Sequence, residues 1–190
     1  MTLVAQITEY SCALACMESF LRDHHREITQ WDLIQTCGEV CTGKYAHAGG
    51  IDPDFENGTF RGLSNLEKIG EKHGFSITIV EVKDLPSTVS PGMGFLILIL
   101  GKHCLRYLGK SPEYPDQFLL MNPKFALQFN RKEKDPDTGE EKVVPEEPEI
   151  TSKWWAEIER WTPNKIHDQP CVFAKVTLED WMKQGGTKCA

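Results

Sequence analysis

The apolar positions early in the chain recur at helical spacing. Leu14, Met17 and Leu21 share one face, Ala13, Cys16 and Phe20 lie beside it, and no Gly or Pro interrupts the run. A helix over Ala13–Leu21 is predicted, with a short extended lead-in and Ser11 as its N-cap. Thr29 and Asp32 stand at capping-box distance and predict a second helix to about Cys37, with Trp31, Leu33 and Ile34 turned to the core. The Gly-rich segment 38–62 reads as a long loop of the kind that lines clefts. A third helix, Ser64–Lys72, turns Leu66 and Ile69 inward and stops at His73-Gly74.

From Phe75 the pattern turns to strands. Phe75–Val82 alternates, and Phe95–Leu100 is a continuous apolar run, as expected of a strand covered on both faces. Gly101-Lys102 is a tight turn, and His103–Leu108 completes a hairpin with His103 at the start of its second strand. Gln117–Met121 is a further strand, closed by Asn122-Pro123. Residues 131–149 combine charge, Pro and Gly, and read as a mobile acidic loop or a polar hairpin around Asp137-Thr138-Gly139. Trp154, Ile158 and Trp161 then repeat at helical spacing and predict a Trp-rich helix. Cys171–Val176 reads as a strand. Thr177 would cap a last helix, Leu178–Gln184, with Trp181 inward and Gly185-Gly186 as its stop. The expected class is α+β, in one domain over residues 1–190 with an insertion at about 124–165.

Composition narrows the function classes. The net charge is −7 with scattered Lys and Arg, which argues against nucleic-acid binding. The most apolar run, Gly94–Leu100, is too short to span a bilayer, and residues 1–11 lack the apolar core of a signal peptide. A cytoplasmic protein is expected, with export open only by a signal-independent route. Seven cysteines show no compact disulfide spacing, so reduced thiols are the expectation. No cofactor is called for.

The candidate chemistry centres on Cys12. At the first turn of a helix, free N–H groups and the helix dipole stabilise a thiolate and lower its pKa. The Gln6 side-chain amide stands close enough in sequence to donate to an oxyanion forming beside that sulfur. Read alone, the same stretch is also a buried helix whose Cys12 and Cys16 are small hydrophobes. A cysteine hydrolase further needs a base and a group that orients it, neither of them near in sequence. His103 starts one strand and Asn122 ends the next. If those strands are antiparallel, both lie at one sheet edge, where the Asn122 carbonyl can accept Nδ1–H of His103 and aim the ring at Cys12. Taken singly, His103 is a strand-edge histidine and Asn122 a turn former.

Other clusters are weaker. His24 and His25 read as a solvated pair. Cys37, Cys41 and His47 lack the second ligand pair of a structural zinc site. Asp52, Asp54 and Glu56 form an acidic turn without calcium-loop spacing. His167-Asp168 is a rival His–acid pair with no matching helix-start cysteine.

Gln6, Cys12, Ala15 and Cys16 in this order, then helix–Gly–strand, then His103 opening an apolar strand and Asn122-Pro123 closing the next, resemble the bacteriocin-leader (double-glycine) processing peptidases. Those are papain-like cysteine peptidases, usually carried at the N-terminus of export transporters. The resemblance covers residues 5–123 and resumes near the end. Departures are Ser11 for the family's Asp, Ala13 for Gly, Cys104 for a bulky apolar residue, and Asn122 for Asp. The resemblance implies a papain-like fold, an N-terminal helical half packed on an antiparallel sheet. It implies Cys12 as nucleophile, His103 as base, Asn122 as orienting residue and Gln6 in the oxyanion hole. It also implies a protein or peptide substrate cleaved at a peptide, isopeptide or side-chain amide bond. No transporter segment accompanies this sequence, so a stand-alone enzyme is expected. Rival readings are an acyltransferase or deamidase effector with the same triad, a non-catalytic module binding a partner through Trp segment 153–161, and a metal-binding regulator using Cys37, Cys41 and His47.

Overall fold

In a computed structural model, the described residues are 1–51, 54–56, 59–100, 103–124, 131–134, 141–144, 155–168 and 170–179. Helix α1 (Cys12–Asp23) is buried at every position from Ala13 to Leu21, including Glu18 and Ser19. It is therefore a central helix rather than an amphipathic surface one. Helix α2 (Gln30–Val40) carries the predicted capping box between Thr29 and Asp32. Helix α3 (Ser64–His73) ends at Gly74 in the left-handed conformation, with Leu66 and Ile69 fully buried. Its first N–H groups are served by Asp54 of the acidic segment, whose Oδ2 accepts from Ser64 N at 3.0 Å. Asp52 lies outside the described residues.

The strands are β1 (Asp54–Glu56), β2 (Thr59–Gly62), β3 (Phe75–Val80), β4 (Met93–Ile99), β5 (His103–Lys110), β6 (Phe118–Lys124), β7 (Arg131–Lys134), β8 (Glu141–Val144), β9 (Trp155–Trp161) and β10 (Cys171–Leu178). Six of them form one antiparallel sheet in the order β3-β10-β4-β5-β6-β9. The class is α+β, as expected. Leu96, Leu98, Cys104, Met121, Ala174 and Val176 pack against the helices. Phe95, Ile97, Leu105, Tyr107, Phe118 and Leu120 form a second cluster on the other face with Leu85, Trp161 and Ile166. Two covered faces explain why the 95–99 run is continuously apolar. Gly94 is required by close approach, since a Cβ there would lie 2.5 Å from the Phe20 ring.

A buried charge network pins α1 to the sheet. Arg106 of β5, 6% exposed, donates to Ser19 Oγ at 2.6 Å and pairs with Asp23 Oδ2 at 2.8 Å. Asp23 also accepts from Thr2 N at 2.6 Å. Burial would raise the Asp23 pKa, but the Arg106 charge and these hydrogen bonds outweigh it and hold it below the usual carboxylate range.

Several expectations are corrected. Trp155–Trp161 is a strand, not a Trp-rich helix. Its residues are good helix formers, but pairing with β6 overrides that preference. Ile158 is consequently 47% exposed while Trp161 is buried, because positions three apart face opposite ways in a strand. Trp154 lies outside the described residues. Strand β6 continues through Asn122 and Pro123 to Lys124. Its ladder with β5 stops at Met121, so Pro123 sits where one side of the strand carries no ladder and a missing N–H is tolerated. Thr177 and Leu178 belong to β10 rather than to a last helix, and residues 180–190, with Trp181 and Gly185-Gly186, lie outside the described residues. Trp31 is 66% exposed rather than in the core. His24 is structural rather than solvated: its Nδ1 meets Phe20 O at 2.8 Å and its Nε2 accepts from Gly92 N at 2.7 Å. In the inserted segment, β7 and β8 form the polar hairpin alternative. No described helix is long and apolar enough to cross a membrane.

Replacing Asp23 with Ala strands the buried Arg106 charge and is expected to cost about 3–5 kcal/mol in urea unfolding at pH 7. The double variant Asp23→Ala with Arg106→Met removes both charges together and is expected to cost less. The Asp23 contribution is present above about pH 4 and lost as pH falls through its lowered folded value, so the gap between wild type and Asp23→Ala should narrow at pH 3.

Candidate active site

The site lies where the β5–β6 ladder opens. Their register ends at Arg106↔Met121, so His103 and Asn122 both lie beyond the last pair, at the same end of the sheet. His103 shares a face with Leu105 and Tyr107, and Asn122 with Leu120 and Phe118. Across the opening, His103 Nε2 and Asn122 Oδ1 are 2.6 Å apart. The expected Asn–His contact is present, but through Nε2 rather than the predicted Nδ1.

The proton positions follow from donor and acceptor chemistry. Asn122 Nδ2 donates to Glu159 Oε1 at 2.5 Å. A carboxylate only accepts, so the amide nitrogen must face Glu159 and the amide oxygen must face His103. That oxygen only accepts, so Nε2 carries the imidazole proton. In the neutral ring, Nδ1 is then the basic nitrogen.

Cys12 reaches this end of the sheet on α1, packed with the helix-side core. Helix α1 packs on β4, β5 and β6, and its N-terminus brings the sulfur to the backbone N–H of Cys104, the residue after His103. The N–H groups of Ala13 and Cys12 itself also serve the sulfur, as expected at a helix start. The thiol pKa is nevertheless pushed up to about 12, chiefly by burial and further by the nearby Cys104 thiol. The expectation of a lowered pKa is corrected here. Helix-terminal N–H groups pull the value down, but desolvation is the larger effect.

The lead-in is built differently from a capped helix start. Ser11, fully buried, makes no cap hydrogen bond to α1. Its Oγ accepts from Ile7 N at 3.1 Å and Thr8 N at 3.0 Å and donates to Gln30 Oε1 of α2 at 2.6 Å. Gln30 in turn donates to Ala5 O at 3.0 Å. Thr8 Oγ1 ties the lead-in to Ala48 O at 2.5 Å. Gly49 there has φ +83, and a Cβ on it would lie 2.9 Å from Ile34 and 3.1 Å from Leu14 and Ser11. Only glycine fits that approach.

Gln6 is 5% exposed, and its Nε2 donates to Thr8 O at 2.9 Å and Glu9 O at 3.3 Å. Among the described residues its Oε1 has no partner. Both amide hydrogens are thus turned into its own loop. Beside them, Tyr10 and Tyr45 stack with ring centroids 3.9 Å apart, and Lys44 Nζ lies 4.9 Å from the Tyr45 ring.

The weaker candidates scatter. Cys37 is buried in the core, Cys41 Sγ meets Asn65 O at 3.5 Å, and His47 is exposed in a 3-10 turn. Asp168 caps the short helix α4 (Pro163–His167) and is exposed. Glu159 and Trp161 were missed as site residues. The alternation Trp155-x-Glu157-x-Glu159-x-Trp161 is a strand signal that carries them, hidden by helix-forming residues between.

No family model matches the chain, and no curated protein matches it. Among solved structures it is similar to the peptidase domain of Streptococcus ComA, a bi-functional ABC transporter involved in a quorum sensing pathway. The identity is 14% and the TM-score 0.53, over 93% of this chain and 97% of that one. At that identity the likeness concerns the fold. The chain has an α+β fold similar to that of this peptidase domain.

Ser11→Ala is expected to orphan the Thr8 N–H in this partly buried loop. A loss of about 1–3 kcal/mol in urea unfolding is the expected outcome; unchanged stability would show that the lead-in is held by other contacts.

Proposed function

We propose that this protein is a cysteine peptidase-like hydrolase acting on a protein or peptide substrate through Cys12, His103 and Asn122. The observation that carries the reading is the His103–Asn122 hydrogen bond of 2.6 Å at the open end of β5 and β6. It stands next to the backbone N–H that serves the Cys12 sulfur. An amide-oriented base and a helix-start thiol at the same end of the sheet are the parts a Cys-His-Asn hydrolase uses.

The raised thiol pKa sets the order of events. At rest Cys12 is protonated. As its sulfur attacks the carbonyl carbon, the proton passes to Nδ1 of His103. The imidazolium is held by Asn122 and returns the proton to the leaving amine. The oxyanion is met by the Cys12 N–H and by Gln6, which releases its longer bond to Glu9 O. A thioester forms, and water attacks it with His103 again taking the proton. Transfer of the acyl group to an amine, or attack on a side-chain amide, uses the same steps with a different acceptor or leaving group. The exposed Tyr10–Tyr45 stack favours an extended peptide lying against aromatic surface.

Alkylation by iodoacetamide, located by mass spectrometry between about pH 5 and 9, tests this. Wild-type Cys12 is expected to react faster than the half-buried Cys41 and Cys171, with a rate that levels off once His103 is neutral. His103→Ala should slow Cys12 at pH 7 by about 100-fold or more and leave a rate that keeps climbing with pH, since only burial then governs the thiol. If His103→Ala changes nothing, the triad is not assembled and a non-catalytic binding scaffold is the better description.

A further inference from the structure

The hydrogen-bond chain does not end at Asn122. Glu159 Oε1 accepts from Asn122 Nδ2 at 2.5 Å, and Glu159 Oε2 accepts from Trp161 Nε1 at 2.6 Å. The four residues lie across three adjacent strands, β5, β6 and β9, on one face of the sheet. Asn122 and Trp161 are each 7% exposed, so these bonds run in a region of weak solvent screening.

We infer that Glu159 is a positioning residue for His103, acting through Asn122 to decide which ring nitrogen carries the proton. The inference rests on the Cys12–His103–Asn122 reading. An amide has two faces and can present either one. An indole N–H can only donate, and a carboxylate can only accept. Trp161 and Glu159 therefore set the polarity of the whole relay from its outer end. Trp161 donates to Glu159, Asn122 donates to Glu159, and Asn122 is left with its oxygen toward His103. Nε2 must then hold the proton, which makes Nδ1 the basic nitrogen of the neutral ring. Without Glu159 the amide can turn, and the ring is free to adopt the other tautomer.

Glu159 also supplies charge. Asn122 itself carries none, so it orients an imidazolium without balancing it. The Glu159 carboxylate stands one hydrogen bond further out and its charge favours the protonated ring. Other charged or titratable groups are near. Cys12 and Cys104 lie on the helix side, and Glu157 faces the same way as its cross-strand partner Asn122. Lys165 of α4 lies over the Trp161 ring at 4.0 Å. Glu157→Gln therefore serves as the control for charge alone.

The test is nitrogen NMR of histidine-labelled full-length protein, with the His103 signals identified by their loss in His103→Ala. Wild-type His103 is expected as the Nε2–H tautomer. In Glu159→Gln its pKa should fall, tautomer exchange should appear, and Cys12 alkylation at pH 7 should slow several-fold. Glu157→Gln is expected to keep the Nε2–H tautomer. An Nδ1–H tautomer in the wild type overturns the inference whether or not the variant folds. So does a Glu159→Gln protein whose tautomer, pKa and alkylation rate all match wild type, and in that case the peptidase reading survives if alkylation still depends on His103. A wild-type Cys12 that does not react sinks the peptidase reading instead, and the His103 spectra still decide the relay.

Discussion

The burial of α1 against the sheet is the constraint on which the rest depends. Every residue from Ala13 to Leu21 is removed from water. The helix is held laterally by Phe20 over Gly94 and axially by the Arg106–Asp23 pair. Its N-terminus therefore has little freedom, and the sulfur of Cys12 arrives at one place, the N–H of Cys104. A nucleophile on a surface helix would have kept its low-pKa helix-start environment but lost this positioning.

That burial has a chemical consequence. The same contacts that place the thiol also desolvate it, and desolvation outweighs the helix N–H groups. In the proposed mechanism the thiolate then depends on its base. This raises the demand on His103 and on whatever sets its tautomer. Asn122 meets the geometric part of that demand, and the strand behind it carries a carboxylate anchored by an indole. The outer strand β9 thereby belongs to the chemistry of the proposed site as well as to the sheet.

The lead-in shows how polar groups take over where apolar packing stops. Residues 5–11 have few apolar side chains to bury, and they are fastened by Ser11, Gln30 and Thr8 hydrogen bonds instead. Satisfying those buried groups keeps a non-helical segment in one shape at the start of α1. Gly49 closes the packing on the other side.

Much of this could be read from residue order. The apolar periods of 13–21, 64–73 and 95–108 place four of the principal elements, because they depend on local spacing alone. Cys12, His103 and Asn122 were legible as chemistry at the ends of elements, and the antiparallel ladder brings the last two into contact. Tertiary structure decided the rest. Residues 155–161 suit a helix by propensity, and only an available edge of β6 makes them a strand. Which amide atom Asn122 turns toward His103 depends on Glu159, a residue from that same strand. The direction of the Cys12 pKa depends on how many neighbours exclude water, and Ser11 turns from cap to loop anchor because Gln30 folds back over it. Local spacing sets elements and supplies reactive groups; burial, tautomer and pairing edge arise only when distant segments meet.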